Sequence, residues 1–199
     1  MMYYSASMNT LDESLMNAVK EGKLLESSRT NIRLLLDGTK SPIAREAVEE
    51  LAAAGEWQEL NDRFYKTLAF GTGGLRGRTI GSIVTRAEQG NGGVNGRPEY
   101  PCVGTACMNY FNVGRAMRGL IIYVNKHVEA TDPGRKPRLV IGHDTRHFSR
   151  DFAEFCAKIG TDLGCDIYLF DSPRATRASW AKRAAARQVR VPLGVIGFI

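Results

Sequence analysis

The densest chemistry in the chain is the run Gly71-Thr72-Gly73-Gly74-Leu75-Arg76-Gly77. Its glycines leave backbone N–H groups open to close approach. Thr72 adds a hydroxyl and Arg76 a guanidinium. Such a set suits a cluster of phosphate oxygens, because successive amides form an anion-binding concavity and arginine donates a two-pronged fork. The spacing excludes two familiar phosphate loops. The dinucleotide fingerprint follows a strand and needs glycine at its sixth place, where this run has Arg76 after a helical pattern. The P-loop closes with Gly-Lys-Ser/Thr, where this run has Arg76-Gly77-Arg78. Thr72, Gly73, Gly74 and Arg76 are therefore candidate phosphate-binding residues. The plainer alternative is a tight turn with Arg76 and Arg78 in solvent.

A second cluster reads Gly142-His143-Asp144-Thr145-Arg146-His147. It follows a short apolar strand, and ligands of open α/β sheets gather at the carboxyl ends of strands. Asp144 and Arg146 can orient a phosphate-bearing loop or brace each other. His143 and His147 can titrate near neutrality. Asp144, Arg146 and His147 are assigned to near-site support. No Ser-His-Asp order and no acidic cluster with metal-ligand spacing accompanies them, so no metal residue is named. Cys102, Cys107, Cys156 and Cys165 form no CxxC pair and have no histidine pair to complete a zinc site. They read as reduced thiols, which points to the cytoplasm.

The elements that position these residues follow from periodicity. Leu11, Leu15 and Val19 recur at helical spacing before Gly22. Further helices are expected at Ser28–Asp37, from Ser41-Pro42 to Gly55, and at Glu56–Phe70. Ser41 is expected to cap its helix, and Pro42 suits the first turn. Arg78–Thr85 reads as a strand and Glu88–Thr105 as a long loop. Asn112–Val128 reads as a helix capped by Asn112. Leu139–Gly142, Phe148–Leu163 and Asp166–Phe170 then give strand, helix and strand, a βαβ unit with parallel pairing. The fold class is α/β: a three-layer α/β/α domain with a mixed, partly parallel sheet and an N-terminal helical segment.

Bulk properties narrow the function classes. The chain has 199 residues and a net charge of +6. Met1–Pro173 is electrically neutral, and the whole excess lies on Arg174, Arg177, Lys182, Arg183, Arg187 and Arg190. A nucleic-acid-binding domain would spread its cations over a folded face, so no nucleic-acid partner is expected. No apolar run is long enough to span a bilayer, so no membrane partner is expected. The first residues show no basic region followed by an apolar run, so no leader is expected.

Taken together, the motifs resemble the α-D-phosphohexomutase family, the phosphoglucomutases and phosphomannomutases. FGTGGLRG at Phe70–Gly77 resembles the opening loop of that family's first domain. VIGHDTRHFSRDFA at Val140–Ala153 resembles its strand, Asp-x-Arg turn and helix. Val103–Val124 resembles the intervening helix, and Asp166–Thr176 the next strand and its exit. The resemblance covers most of residues 40–176. It implies an enzyme that moves a phosphoryl group between positions of a hexose phosphate, through a phosphoserine and with Mg²⁺ balancing its charge. By resemblance, Thr72 and Arg76 lie near the phosphoserine and the transferring phosphate, and Asp144 and Arg146 support local architecture.

The resemblance has a limit. The family's Thr-Ala-Ser-His-Asn-Pro-like loop belongs near position 195, where this chain has none. The metal, sugar-specificity and distal phosphate loops of the family lie in later domains. The sequence therefore divides into an N-terminal helical extension (1–55), an incomplete first domain (56–176) and a divergent basic tail (177–199). The expectation is a mutase fragment, inactive alone, with no catalytic residue of its own and no tightly held Mg²⁺. It would still recognise a hexose phosphate, and it would self-associate through a sheet edge left bare by a missing strand. The alternative is a non-catalytic α/β module that binds phosphate or a partner.

Overall fold

The computed structural model describes residues 2–71, 74–93, 96–173 and 195–197. The chain forms two compact units, Met1–Gly71 with Arg76–Asn109, and Thr72–Leu75 with Tyr110–Ile199.

The first unit is helical: α1 (Met2–Lys20), α2 (Glu26–Gly38), α3 (Pro42–Ala53), α4 (Trp57–Phe64) and a single turn, α5 (Arg86–Gln89). Its core follows the helical spacing of the sequence. Leu11, Leu15, Ile32, Leu35, Val48, Leu51, Leu60 and Phe64 are all buried. Pro42 begins α3 as expected, but the Ser41 side chain makes no capping bond. Its backbone N–H instead donates to Thr39 Oγ1 at 3.2 Å. The helix expected up to Phe70 ends at Phe64, and Phe70–Gly71 is a two-residue strand, β1.

The strand expected at Arg78–Thr85 does not form; the segment is a series of bends. The cause is a buried arginine. Ile83 O accepts from Arg63 Nη2 at 2.5 Å, and Ser82 N–H donates to Glu59 Oε1 at 3.2 Å. Two further carbonyls are engaged by a loop: Cys102 N–H donates to Thr79 O and Met108 N–H to Arg78 O. Backbone groups taken in this way are not available to a strand ladder. The next residues, read as the start of a loop, make α5 through a capping box. Thr85 Oγ1 accepts from Glu88 N–H, and Glu88 Oε2 accepts from Thr85 N–H.

The second unit is α/β. It contains β2 (Gly74–Leu75), α6 (Tyr110–Thr131), β3 (Arg138–Gly142), α7 (Ser149–Asp162), β4 (Asp166–Leu169) and β5 (Val195–Gly197). The β3-α7-β4 segment is the expected βαβ unit. Its strands pair in parallel, Arg138 opposite Asp166 and Ile141 opposite Leu169. Asn112 does not cap α6; it lies inside that helix, which starts at Tyr110, and is buried. Val113, Met117, Ile121 and Val124 of α6 are buried, as are Phe152, Cys156 and Ile159 of α7. Gly160 allows close packing here: a Cβ at that position would overlap Ile167 Cδ1 and lie 3.4 Å from Met117 Cε.

The sheet runs β4-β3-β5, and β5 pairs in parallel with β3, Val140 opposite Val195 and Gly142 opposite Gly197. The α/β class is as expected, and the three described strands of this sheet are parallel. The third of them, β5, comes from the end of the basic tail. Among the described residues no helix is long and apolar enough to cross a membrane.

Candidate functional site

The glycine-rich segment joins no regular element longer than two residues. Thr72 and Gly73 lie outside the described residues. Gly74 has φ +104°, a region that side-chain-bearing residues rarely enter, so glycine is required there. A Cβ at Gly77 would lie 2.9 Å from Ala106 O and 3.1 Å from Met108 N, so that glycine lets the segment's exit rest on the 106–108 backbone. Arg76 is exposed, and among the described residues it forms no ion pair. Arg78 differs. Its Nη1 donates to Ser82 Oγ at 2.8 Å and its Nη2 to Glu59 Oε2 at 3.3 Å. Of the two arginines in this stretch, Arg76 is the one left facing solvent.

The Asp-x-Arg turn follows β3 directly, at the carboxyl end of the parallel sheet. Asp144 and Arg146 close on each other: Arg146 Nε and Nη2 both donate to Asp144 Oδ2, at 2.8 and 2.5 Å. Arg146 N–H adds a bond to Asp144 Oδ1 at 3.0 Å. Asp144 N–H in turn donates to Ser149 Oγ, at the first residue of α7. Phe148, just before α7, is buried with φ +64°, the one non-glycine residue in left-handed backbone among those described. Burial opposes ionisation of Asp144, but the hydrogen bonds from Arg146 and Ser149 outweigh it and hold the carboxyl below its ordinary value. The pair therefore fixes the strand-to-helix turn. His147 is exposed. His143 is buried, with Nδ1 3.4 Å from Asp144 O and, among the described residues, no hydrogen-bond partner for Nε2.

A third cluster escapes the sequence reading. Arg63 of α4 is fully buried and is enclosed by two acids. Its Nε donates to Glu59 Oε1 at 2.7 Å and its Nη1 to Glu88 Oε1 at 2.6 Å. Glu88 Oε1 also accepts from Val103 N–H at 2.7 Å. One arginine thus ties α4, α5 and the 102–109 loop together. Two local signals could have found it: the Glu59/Arg63 pair has i,i+4 helical spacing, and Thr85-x-x-Glu88 has capping-box spacing. Among the described residues no three His, Cys, Asp or Glu side chains are grouped so as to hold a metal ion.

In the first unit Arg76 presents a solvent-facing guanidinium, a group that can donate to anions. In the second unit the Asp144–Arg146 turn lies at the carboxyl end of the parallel strand β3. Residues 86–196, more than half of the chain, match the family model for the phosphoglucomutase/phosphomannomutase alpha/beta/alpha domain I. The chain is 29% identical over 119 residues to a phosphoglucomutase of Staphylococcus epidermidis, which covers 60% of this chain and 17% of that protein. It is 30% identical over 127 residues to a probable phosphoribomutase of Schizosaccharomyces pombe, covering 64% and 17%. The chain thus spans about a sixth of the length of these curated relatives. No solved structure matches it significantly.

Proposed function

The chain belongs to the phosphoglucomutase/phosphomannomutase family, and from that premise we propose that it is the part of a sugar-phosphate mutase that holds the phosphate end of a hexose phosphate. The observation that carries the reading is Arg76, exposed on a glycine-rich segment whose backbone at Gly74 only glycine readily adopts. Arg76 donates its fork to phosphate oxygens, and the amides from Thr72 to Gly74 supply further donors. The Asp144–Arg146 brace keeps the carboxyl end of β3 in one conformation and does not itself meet substrate.

Phosphoryl transfer asks a protein mainly for positioning and charge stabilisation. This chain contributes the first and part of the second. No Ser-His-Asn-Pro-like run occurs among these 199 residues, so this chain has no catalytic serine of its own and does not turn over substrate alone. Mg²⁺ would balance phosphoryl charge in the complete family site, and no residue of this chain is assigned to it. The four free, buried cysteines support a reducing, cytoplasmic setting.

Isothermal titration with glucose 1-phosphate tests the reading. Binding heat with the phosphate ester and none with glucose is expected. A coupled assay on the same sample should show no mutase activity above background. Equal heats for the sugar and its phosphate would overturn the binding reading, and turnover would overturn the inactivity.

A further inference from the structure

Four free cysteines are buried, and two of them meet. Cys102 and Cys107 are both buried in the irregular loop CVGTAC, and their Sγ atoms are 3.1 Å apart. The backbone holds them there. Cys102 N–H donates to Thr79 O and Met108 N–H to Arg78 O, while Asn109 Nδ2 donates to both Cys102 O and Gly104 O. The two sulfurs meet as thiol and acceptor, a spacing from which only a small closing motion is needed for a bond of about 2.05 Å.

We propose that Cys102 and Cys107 are a redox dithiol, with Cys107 the attacking sulfur and Cys102 the resolving one, closed to a disulfide by hydrogen peroxide. The Cys107 thiolate attacks one peroxide oxygen; the O–O bond breaks, hydroxide leaves and takes up a proton, and Cys107 becomes a sulfenic acid. Cys102 then loses its proton and attacks the Cys107 sulfur, expelling the hydroxyl group, which leaves as water. The two thiols are oxidised by two electrons, and one peroxide is reduced to two waters.

The asymmetry of roles comes from the surroundings. Either thiol can donate in the Sγ contact; with Cys102 as the donor, that bond and the Arg63 and Arg78 guanidinium groups lower the Cys107 pKa despite burial. In that arrangement the same bond and burial raise the Cys102 pKa, against the opposing effect of Arg63. Thiolate character, not the mere presence of sulfur, sets reactivity. Cys156 lacks such surroundings, and burial alone pushes its thiol up to about 12. Burial of the pair selects a small, neutral oxidant, admitted when the loop opens locally. Closing the disulfide removes a thiol that Arg78 acts on, in the loop on which Gly77 rests.

Peroxide treatment of the whole chain, followed by alkylation in denaturant and tryptic digestion, tests this. Both cysteines fall in the peptide Ala87–Arg115, because Pro98 blocks cleavage after Arg97. We expect that peptide to lose two hydrogens and both alkylation sites after peroxide, and to regain the sites with dithiothreitol. Cys156 and Cys165 should remain alkylated. Cys102→Ser should give a dimedone adduct on Cys107, and Cys107→Ser none on Cys102. A wild-type peptide that keeps both alkylation sites, a disulfide to Cys156 or Cys165, or the reverse pattern of adducts overturns the proposal. The wild-type measurement stands even if a variant fails to fold.

Discussion

At the residue scale, the charged groups of this protein divide by burial, and their predicted effects divide with them. Arg63 is wholly inside, between Glu59 and Glu88. Removing one partner from a buried charge cluster leaves the others unpaired, which costs about 3–5 kcal/mol. Arg63→Ala should lower the free energy of urea unfolding by about that amount, and a loss under 1 kcal/mol would contradict the assigned role. Asp144 is a partly exposed case, so its effect is stated as a direction. Its carboxyl is held below the ordinary value, so the folded state binds that proton less readily than the unfolded chain does. The stability it contributes is complete above the unfolded carboxyl pKa and fades as pH falls through the lowered folded value. Asp144→Asn should therefore be less stable than the native protein at neutral pH, with the gap narrowing in acid. A gap that widens on acidification would show that the sign is wrong.

At the element scale, the helices of the first unit and the βαβ order of the second were legible because each has a clean apolar period. Leu11/Leu15, Leu60/Phe64 and Val113/Met117 all face inward as their spacing predicts. Arg78–Thr85 was misread because Ile80, Ile83 and Val84 imitate a strand, while the deciding interactions come from Arg63 and Glu59, distant in sequence. A single-sequence period cannot register a side chain that arrives from another helix and claims the carbonyls. Asn112 and Ser41 failed as caps for a related reason: a residue type favourable at a helix start does not fix where the helix starts. The close packing of α7 on β4 makes its own prediction. Gly160→Val would drive a branched side chain into Ile167, and overpacking of this kind costs about 1–3 kcal/mol. Thermal unfolding should show a lower Tm, and an unchanged Tm would deny the close approach.

At the scale of the whole molecule, the candidate site was only half readable. The glycine segment was visible by composition, and the resemblance of its residues to the mutases gave it a meaning that spacing alone did not. The difference between Arg76 and Arg78 was not visible, because both are arginines two positions apart. It depends on Glu59 and Ser82, which fold places beside one and not the other. The basic tail shows the same limit. Its charge set it apart as sequence, yet Val195–Gly197 completes the sheet next to β3, and the family match continues to residue 196. Charge composition describes what a segment repels and attracts, while strand pairing depends on a few apolar residues at its end. Phosphate binding is assigned to Arg76, and amide NMR of the whole chain titrated with glucose 1-phosphate reads it residue by residue. Saturable shifts centred on Gly74 and Arg76 are expected, lost in Arg76→Ala while the rest of the spectrum is unchanged. Shifts confined to other parts of the chain, or titration of Arg76→Ala indistinguishable from that of the native protein, would contradict it.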